Sequence, residues 1–196
     1  NHHIDGRIEI NGEVFDAVIL AVAPYHVDAL LPKDTPDYIQ TAYQSLHYHA
    51  ITTVYLRYAQ AVKLPAPLIG FADGTAQWVL HRGALGLPDN EVAVVISVSD
   101  YTEAWKDKDL AEKIHADIKR VCPDLGKPEA VRIITEKRAT TAATVDFVQP
   151  DFSWLHHRRI YPAGDYLHPR YPATLEAAVQ SGFAAAEKLM LDLRVE

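Results

Sequence analysis

One run constrains this chain more than any other: Tyr161-Pro162-Ala163-Gly164-Asp165-Tyr166, followed by Tyr171-Pro172-Ala173-Thr174-Leu175-Glu176-Ala177-Ala178-Val179-Gln180-Ser181-Gly182. It reads as a strand, an acidic loop and a helix. Pro172 and Thr174 stand where that helix would begin, so its unpaired N–H groups can face an anion or an electron-rich ring. Gly164 permits a tight approach, and the Asp165 carboxylate can accept a hydrogen bond from a hydroxyl. An aspartate in a turn also caps its own backbone; the helix that follows tips the reading toward a binding site.

Composition narrows what such a site can serve. A chain of 196 residues with 48% hydrophobic content can bury a sizeable core. Its net charge of −7 gives no basic footprint for nucleic acid, and the short cluster His156-His157-Arg158-Arg159 reads as a solvated loop or strand end. Cys122 is the single cysteine, which rules out an internal disulfide and fits a reducing, cytoplasmic setting. No apolar run approaches the roughly 18 residues that span a bilayer, and no secretory leader is visible. Peripheral membrane contact stays open.

Along the chain, Ile4 to Ile10 and Glu13 to Val22 flank Asn11-Gly12, a strong hairpin signal. The second strand turns continuously apolar from Ala17, as a strand buried on both faces does. Pro24 to Leu31 and Pro36 to Leu46 read as short helices. Strands follow at Ala50 to Tyr58, Leu68 to Ala72, Ala76 to His81 and Glu91 to Val98, with Asp73-Gly74 as a tight turn. The spacing of Tyr101, Trp105, Leu110, Ile114, Ile118 and Val121 predicts a helix over 100–121 capped by Asp100 and ended by Cys122-Pro123. Ala130 to Ala143 forms one long or two short strands, and His157 to Ala163 another. The last helix runs from Ala173 to Leu193, with an apolar stripe of Leu175, Val179, Gly182, Ala186, Leu189 and Leu193. Strands in runs without intervening helices argue an α+β fold, a mainly antiparallel or mixed sheet covered by helices.

The order Ala-Gly-Asp, then Pro-Ala-Thr-Leu-Glu, then Ala-Val-x-Ser-Gly resembles the C-terminal flavin-contacting motif of the FAD-dependent amine oxidases and phytoene desaturases. Within that superfamily the chain is most similar to the squalene-associated desaturases, or hydroxysqualene dehydroxylases. Ile51-Thr52-Thr53-Val54-Tyr55-Leu56, Gln77-Trp78-Val79, Val95-Ile96-Ser97 and Glu136-Lys137-Arg138-Ala139-Thr140 carry that closer likeness by their order. The resemblance implies that residues 1–23 and 158–196 are returning segments of an FAD-binding domain and 24–157 a substrate domain. No Gly-x-Gly-x-x-Gly is present, although a flavoprotein of this kind should carry one. The only methionine is Met190. The chain is therefore read as the C-terminal part of a longer protein whose N-terminal FAD-binding half lies elsewhere, and which would not retain FAD or turn over by itself.

The same resemblance implies cofactor contacts from Gly164, Asp165, Ala173, Thr174, Leu175 and Glu176. Asp165 would meet sugar hydroxyls rather than phosphate, and the first-turn amides, that of Leu175 above all, would favour negative charge on reduced flavin. Glu176 equally suits a first-turn acid on the helix dipole. Ala177, where the family commonly has glycine, and Leu167-His168-Pro169-Arg170 depart from the pattern. Tyr55, Tyr58, Phe71 and Trp78 lie on strands and either line an apolar tunnel or pack a core; Trp78 and Tyr55 are the substrate-wall candidates. His47-x-His49 lacks acidic or cysteine partners for a metal, and His81-Arg82 either contacts substrate or ends a strand. No residue is assigned as acid, base or nucleophile. The expected activity is hydride transfer between flavin and a hydrophobic squalene- or carotenoid-like substrate, the alternatives being an amine oxidase and a non-catalytic binding module.

Overall fold

A computed structural model describes residues 6–102, 105–144 and 149–194. In chain order they form β1 (Ile8–Ile10), β2 (Glu13–Phe15), β3 (Val18–Leu20), α1 (Pro24–Val27), α2 (Asp37–Gln44), β4 (Tyr48–Arg57), β5 (Leu68–Gly70), β6 (Trp78–His81), β7 (Glu91–Ser97), α3 (Asp107–Lys119), β8 (Ala130–Thr141), α4 (Ser153–His157), β9 (Ile160–Pro162) and α5 (Leu175–Arg194). They divide into two units, residues 1–47 with 141–196, and residues 48–140. The fold groups α1, α2 and α4 with the terminal segments.

Unit 48–140 holds a sheet of order β5-β6-β7-β4-β8, antiparallel from β5 through β4. This is the mainly antiparallel α+β arrangement expected from consecutive strands. β4 alternates cleanly. Ala50, Thr52, Val54 and Leu56 are buried, whereas Ile51, Thr53 and Tyr55 are half-buried, because successive side chains point to opposite faces. Val92, Val94 and Ile96 of β7 join the buried face, and α3 covers it with Leu110, Ala111, Ile114 and Ile118. Each fully buried aliphatic side chain there contributes roughly 1.5–3 kcal/mol.

The helix expected over 100–121 is shorter than its apolar period. Ser99–Thr102 forms a 3-10 turn and α3 begins only at Asp107. Asp100 does not cap it: the carboxylate accepts the Ala50 N–H at 3.3 Å and faces His49 Nδ1 at 3.2 Å. Val98, with φ of 54°, swings the chain out of β7 into that contact. The turn at Asp73-Gly74 is also wider than a two-residue hairpin, since Phe71 N–H pairs with the Gln77 carbonyl at 2.9 Å. Its amides are taken by α3 instead, where Asp117 Oδ2 accepts Thr75 N–H at 2.6 Å and Ala76 N–H at 2.9 Å. Gly74 has φ of 107°, and a Cβ there would fall 2.6 Å from Asp117 Oδ1.

In the other unit, Asn11 and Gly12 take left-handed angles of 53° and 85° and turn the chain between β1 and β2, as Asn-Gly predicts. The second strand does not run on to Val22. It breaks at Asp16 and Ala17, and β3 pairs instead with β9, parallel, Val18 opposite Ile160 and Leu20 opposite Pro162. Val18 N–H to the Arg159 carbonyl (2.9 Å) and Ala163 N–H to the Leu20 carbonyl (3.0 Å) extend the pairing. Ile19 is exposed, so β3 is not buried on both faces. The strand expected from His157 starts later because α4 is prolonged by the Arg158 and Arg159 amides, which bond the Leu155 and His156 carbonyls at 2.9 and 2.8 Å.

Ile8, Leu20, Val27, Ile39, Tyr43, Leu155, Ile160 and Tyr166 form the core here. Burial, and then the neighbouring Tyr166 hydroxyl, hold the Tyr43 phenol far above its ordinary pKa. α5 presents a different face from the expected stripe. Ala177 and Ala185 are buried, while Leu175, Val179, Phe183, Met190 and Leu191 are exposed. Ala185 packs with Tyr161 and Ala163, joined by Ala17 and Leu189. Small residues let the helix lie close to β9, and the large ones face outward. Gly182 is not a point of close approach: a Cβ there would meet nothing within 4 Å.

Replacing Asp117 with Ala removes the acceptor for two loop amides, and we expect a loss of about 1–3 kcal/mol in a urea melt. An unchanged midpoint would mean that the β5–β6 loop holds its shape without α3.

Candidate functional site

The strand–loop–helix segment is built by three local contacts. Gly164 N–H donates to Ser181 Oγ at 2.9 Å, which ties the end of β9 to α5. The Tyr166 ring folds back over Gly164, where a Cβ would stand 2.2 Å from Cε1, so only glycine fits. Ala173 N–H then reaches the Asp165 carbonyl at 3.4 Å and closes the loop onto its own start. Ala173 is left-handed, with φ of 61°, a conformation that costs a residue with a Cβ roughly 1–2 kcal/mol.

Thr174 caps α5: its Oγ1 accepts Ala177 N–H at 3.1 Å and donates to the Tyr171 carbonyl at 3.0 Å. The first-turn amides of Leu175 and Glu176 have no intrahelical acceptor, and Leu175 is 89% exposed. They carry the positive end of a 20-residue helix. Among the described residues the half-buried Asp165 carboxylate takes part in no hydrogen bond or ion pair. Glu176 Oε1 accepts Gln180 Nε2 at 2.7 Å, so its side chain is turned back along the helix. Backbone contact between Asp165 and Ala173 brings the loop to the start of α5. A carboxylate on that loop and N–H donors at the helix start are groups that suit a ligand with hydroxyls and an electron-rich ring.

Tyr55 and Trp78 lie in the other unit, on the sheet face away from α3. Trp78 is opposite Val95, which is opposite Thr53; Leu80 is opposite Ala93, which is opposite Tyr55. Both aromatics therefore share a face with Leu80 and Val95. The Trp78 indole lies over Gly70, where a Cβ would be 3.0 Å from Cζ3. The Arg82 guanidinium sits 5.4 Å from the Tyr55 ring centroid and pairs with Glu91. Tyr55, Arg82 and Glu91 line a groove of about 510 Å³ with Arg57, Arg132 and Ile134, and Trp78 is not among its lining residues. Tyr58 and Phe71 belong elsewhere: Tyr58 is fully buried and Phe71 packs against the core.

The remaining candidates have structural partners. His81 Nε2 lies 3.2 Å from the Asp89 carbonyl. Arg158 pairs with Asp34 at 2.6 Å and stacks on Trp154 at 3.7 Å. Cys122 donates its thiol to the Lys63 carbonyl at 3.0 Å, and burial raises its pKa. Among the described residues no group of three His, Cys, Asp or Glu is placed to hold a metal ion. His168, Tyr171 and Gln180, which brace the loop before α5, escaped the sequence reading; the departure of Leu167-His168-Pro169-Arg170 from the family pattern was their only signal.

Residues 3–190 match the family model described as flavin containing amine oxidoreductase. The chain is 28% identical over 182 residues to a hydroxysqualene dehydroxylase of Zymomonas mobilis, covering 88% of this chain and 38% of that protein. To a hydroxysqualene dehydroxylase of Rhodopseudomonas palustris it is 32% identical over 180 residues, covering 89% and 38%. It thus spans well under half the length of these curated relatives. In fold it is similar to a putative protoporphyrinogen oxidase from Exiguobacterium, with TM-score 0.63 and 19% identity over 98% of this chain and 45% of that one.

The two glycines of the loop and helix separate close approach from simple spacing. Gly164→Ala should cost roughly 1–3 kcal/mol by driving a methyl into the Tyr166 ring. Gly182→Ala should be neutral or stabilise by up to about 1 kcal/mol. Equal melting temperatures for the two variants would contradict the packing of Tyr166 on Gly164.

Proposed function

The chain belongs to the flavin containing amine oxidoreductase family, and from that membership we propose that it is the flavin-closing and substrate-binding part of an FAD-dependent oxidoreductase acting on a squalene-like isoprenoid. The observation that carries the reading is the loop of Asp165 closed onto the start of α5 through Ala173, where the amides of Leu175 and Glu176 are open. Those groups fit FAD. Asp165 would accept a hydrogen bond from a ribityl hydroxyl, Gly164 lets Tyr166 fold back and fix the loop that carries Asp165, and the capped turn of α5 directs positive charge at the pyrimidine edge. FAD, when bound, supplies the hydride chemistry; the chain positions it and excludes water.

On this reading residues 1–23 and 158–196 serve the FAD-binding domain and 24–157 the substrate domain. The remaining partner is an N-terminal half bearing the dinucleotide-binding glycines, and the chain alone would neither retain FAD nor turn over. The outward stripe of α5, with Leu175, Val179 and Phe183 exposed, is apolar surface for that half to cover. Trp78 and Tyr55 would form walls for the hydrocarbon substrate, and the names of the relatives from Zymomonas and Rhodopseudomonas favour a squalene-type molecule over an amine. Among the described residues no helix is long and apolar enough to cross a membrane. A substrate dissolved in lipid calls for peripheral membrane contact by the complete protein, which on this reading works from the cytoplasm.

The complete protein should purify yellow, and Asp165→Ala should weaken its FAD affinity roughly tenfold without shifting the unfolding of the sheet. A folded, colourless protein that takes up no added FAD would sink the reading. Anaerobic mixing with hydroxylated C30 isoprenoids and with amines separates the substrate classes: a change of flavin oxidation state with amines alone would reassign the enzyme as an amine oxidase.

A further inference from the structure

In the loop that departs from the family pattern, one side chain gathers the backbone. His168 Nδ1 accepts two backbone amides, Arg170 N–H at 3.2 Å and Tyr171 N–H at 3.3 Å. An imidazole nitrogen that accepts must carry its lone pair, so the proton lies on Nε2. Nε2 lies 3.0 Å from Gln180 Oε1, to which Tyr171 Oη also donates at 3.0 Å. Two donors fill both lone pairs of that oxygen and fix the orientation of the amide. Gln180 Nε2 is then left to donate to Glu176 Oε1. The His168 and Tyr171 rings stack with centroids 3.9 Å apart.

This chain of bonds crosses from the loop to α5 one turn below the open amides of Leu175 and Glu176. Between the two anchors the backbone must pass through Pro172 and the left-handed Ala173. The Thr174 hydroxyl bridges the Tyr171 carbonyl and the Ala177 amide, so the direction of the first turn depends on where Tyr171 is held. His168 holds it.

We propose that His168, acting through Tyr171 and Gln180, is the positioning residue that aims the first turn of α5 at the cofactor. The inference rests on the FAD reading of this site and adds a residue that the family motif does not supply. Its action is indirect. Amides that hold their aim matter most where charge accumulates, so loosening them weakens reduced FAD more than oxidised FAD.

The test uses the complete protein in three forms, unsubstituted, His168→Leu and His168→Asn, with oxidised-FAD affinity, two-electron midpoint potential and melting temperature measured for each. Leucine has no acceptor, whereas asparagine Oδ1 can take the place of Nδ1 under the Arg170 and Tyr171 amides. We expect His168→Leu to weaken reduced FAD about tenfold more than oxidised FAD, which lowers the midpoint potential by about 30 mV. His168→Asn should restore most of that shift. The proposal is overturned if His168→Leu leaves the potential unchanged, if it weakens both oxidation states equally, or if asparagine does no better than leucine. An unsubstituted protein that binds no FAD removes the underlying reading of the site, and that outcome is distinct from a flavoprotein indifferent to His168.

Discussion

The parallel pairing of β3 with β9 is the contact on which the rest of the molecule depends. It joins Val18 to Ile160 and Leu20 to Pro162, closing roughly 140 residues of chain at an entropic cost on the order of 4 kcal/mol. Three residues of ladder do not offset that alone. Ile160 and Leu155 are buried with Leu20, Val27 and Ile39, and Tyr161, fully buried between β9 and α5, donates its hydroxyl to Asp192 at 2.9 Å. With β9 fixed in this way Gly164 has a defined place, and the loop and α5 can be built from it.

Strands were legible wherever burial follows the strand period. β4 and β7 show it well, since alternate side chains such as Val54, Leu56, Val92, Val94 and Ile96 are buried with those of α3. The failures have a common cause in partners distant in sequence. Tyr101 and Trp105 continue the apolar period of α3, yet Asp100 finds Ala50 and His49 on β4 and the backbone follows the carboxylate. The break between β2 and β3 is similar: the apolar run from Ala17 is a strand, but its partner is β9. On α5 the apolar period selects the largest side chains, whereas close packing against Tyr161 selects the smallest, so the buried face is Ala177 and Ala185.

In the candidate site, the loop and helix start over residues 164–176 were legible because their geometry is local: a close approach at Gly164, a cap at Thr174, a helix from Leu175. Register decided what local reading left open among the aromatics. Tyr55 and Tyr58 are three positions apart, an odd interval that places them on opposite faces of the sheet; one meets Arg82, the other the core. The bonds from His168 to Gln180 cross a loop of irregular backbone, and no periodicity encodes them.

The open face of the sheet owes its contour to a residue without a side chain. Gly70 leaves the depression in which the Trp78 indole rests, and Leu68 and Leu80 stand opposite each other beside it. A methyl at position 70 would meet the ring at 3.0 Å and press it outward. The relief of this face is therefore set by a missing side chain beneath the indole, so its contour can be altered at a position that carries no side chain of its own.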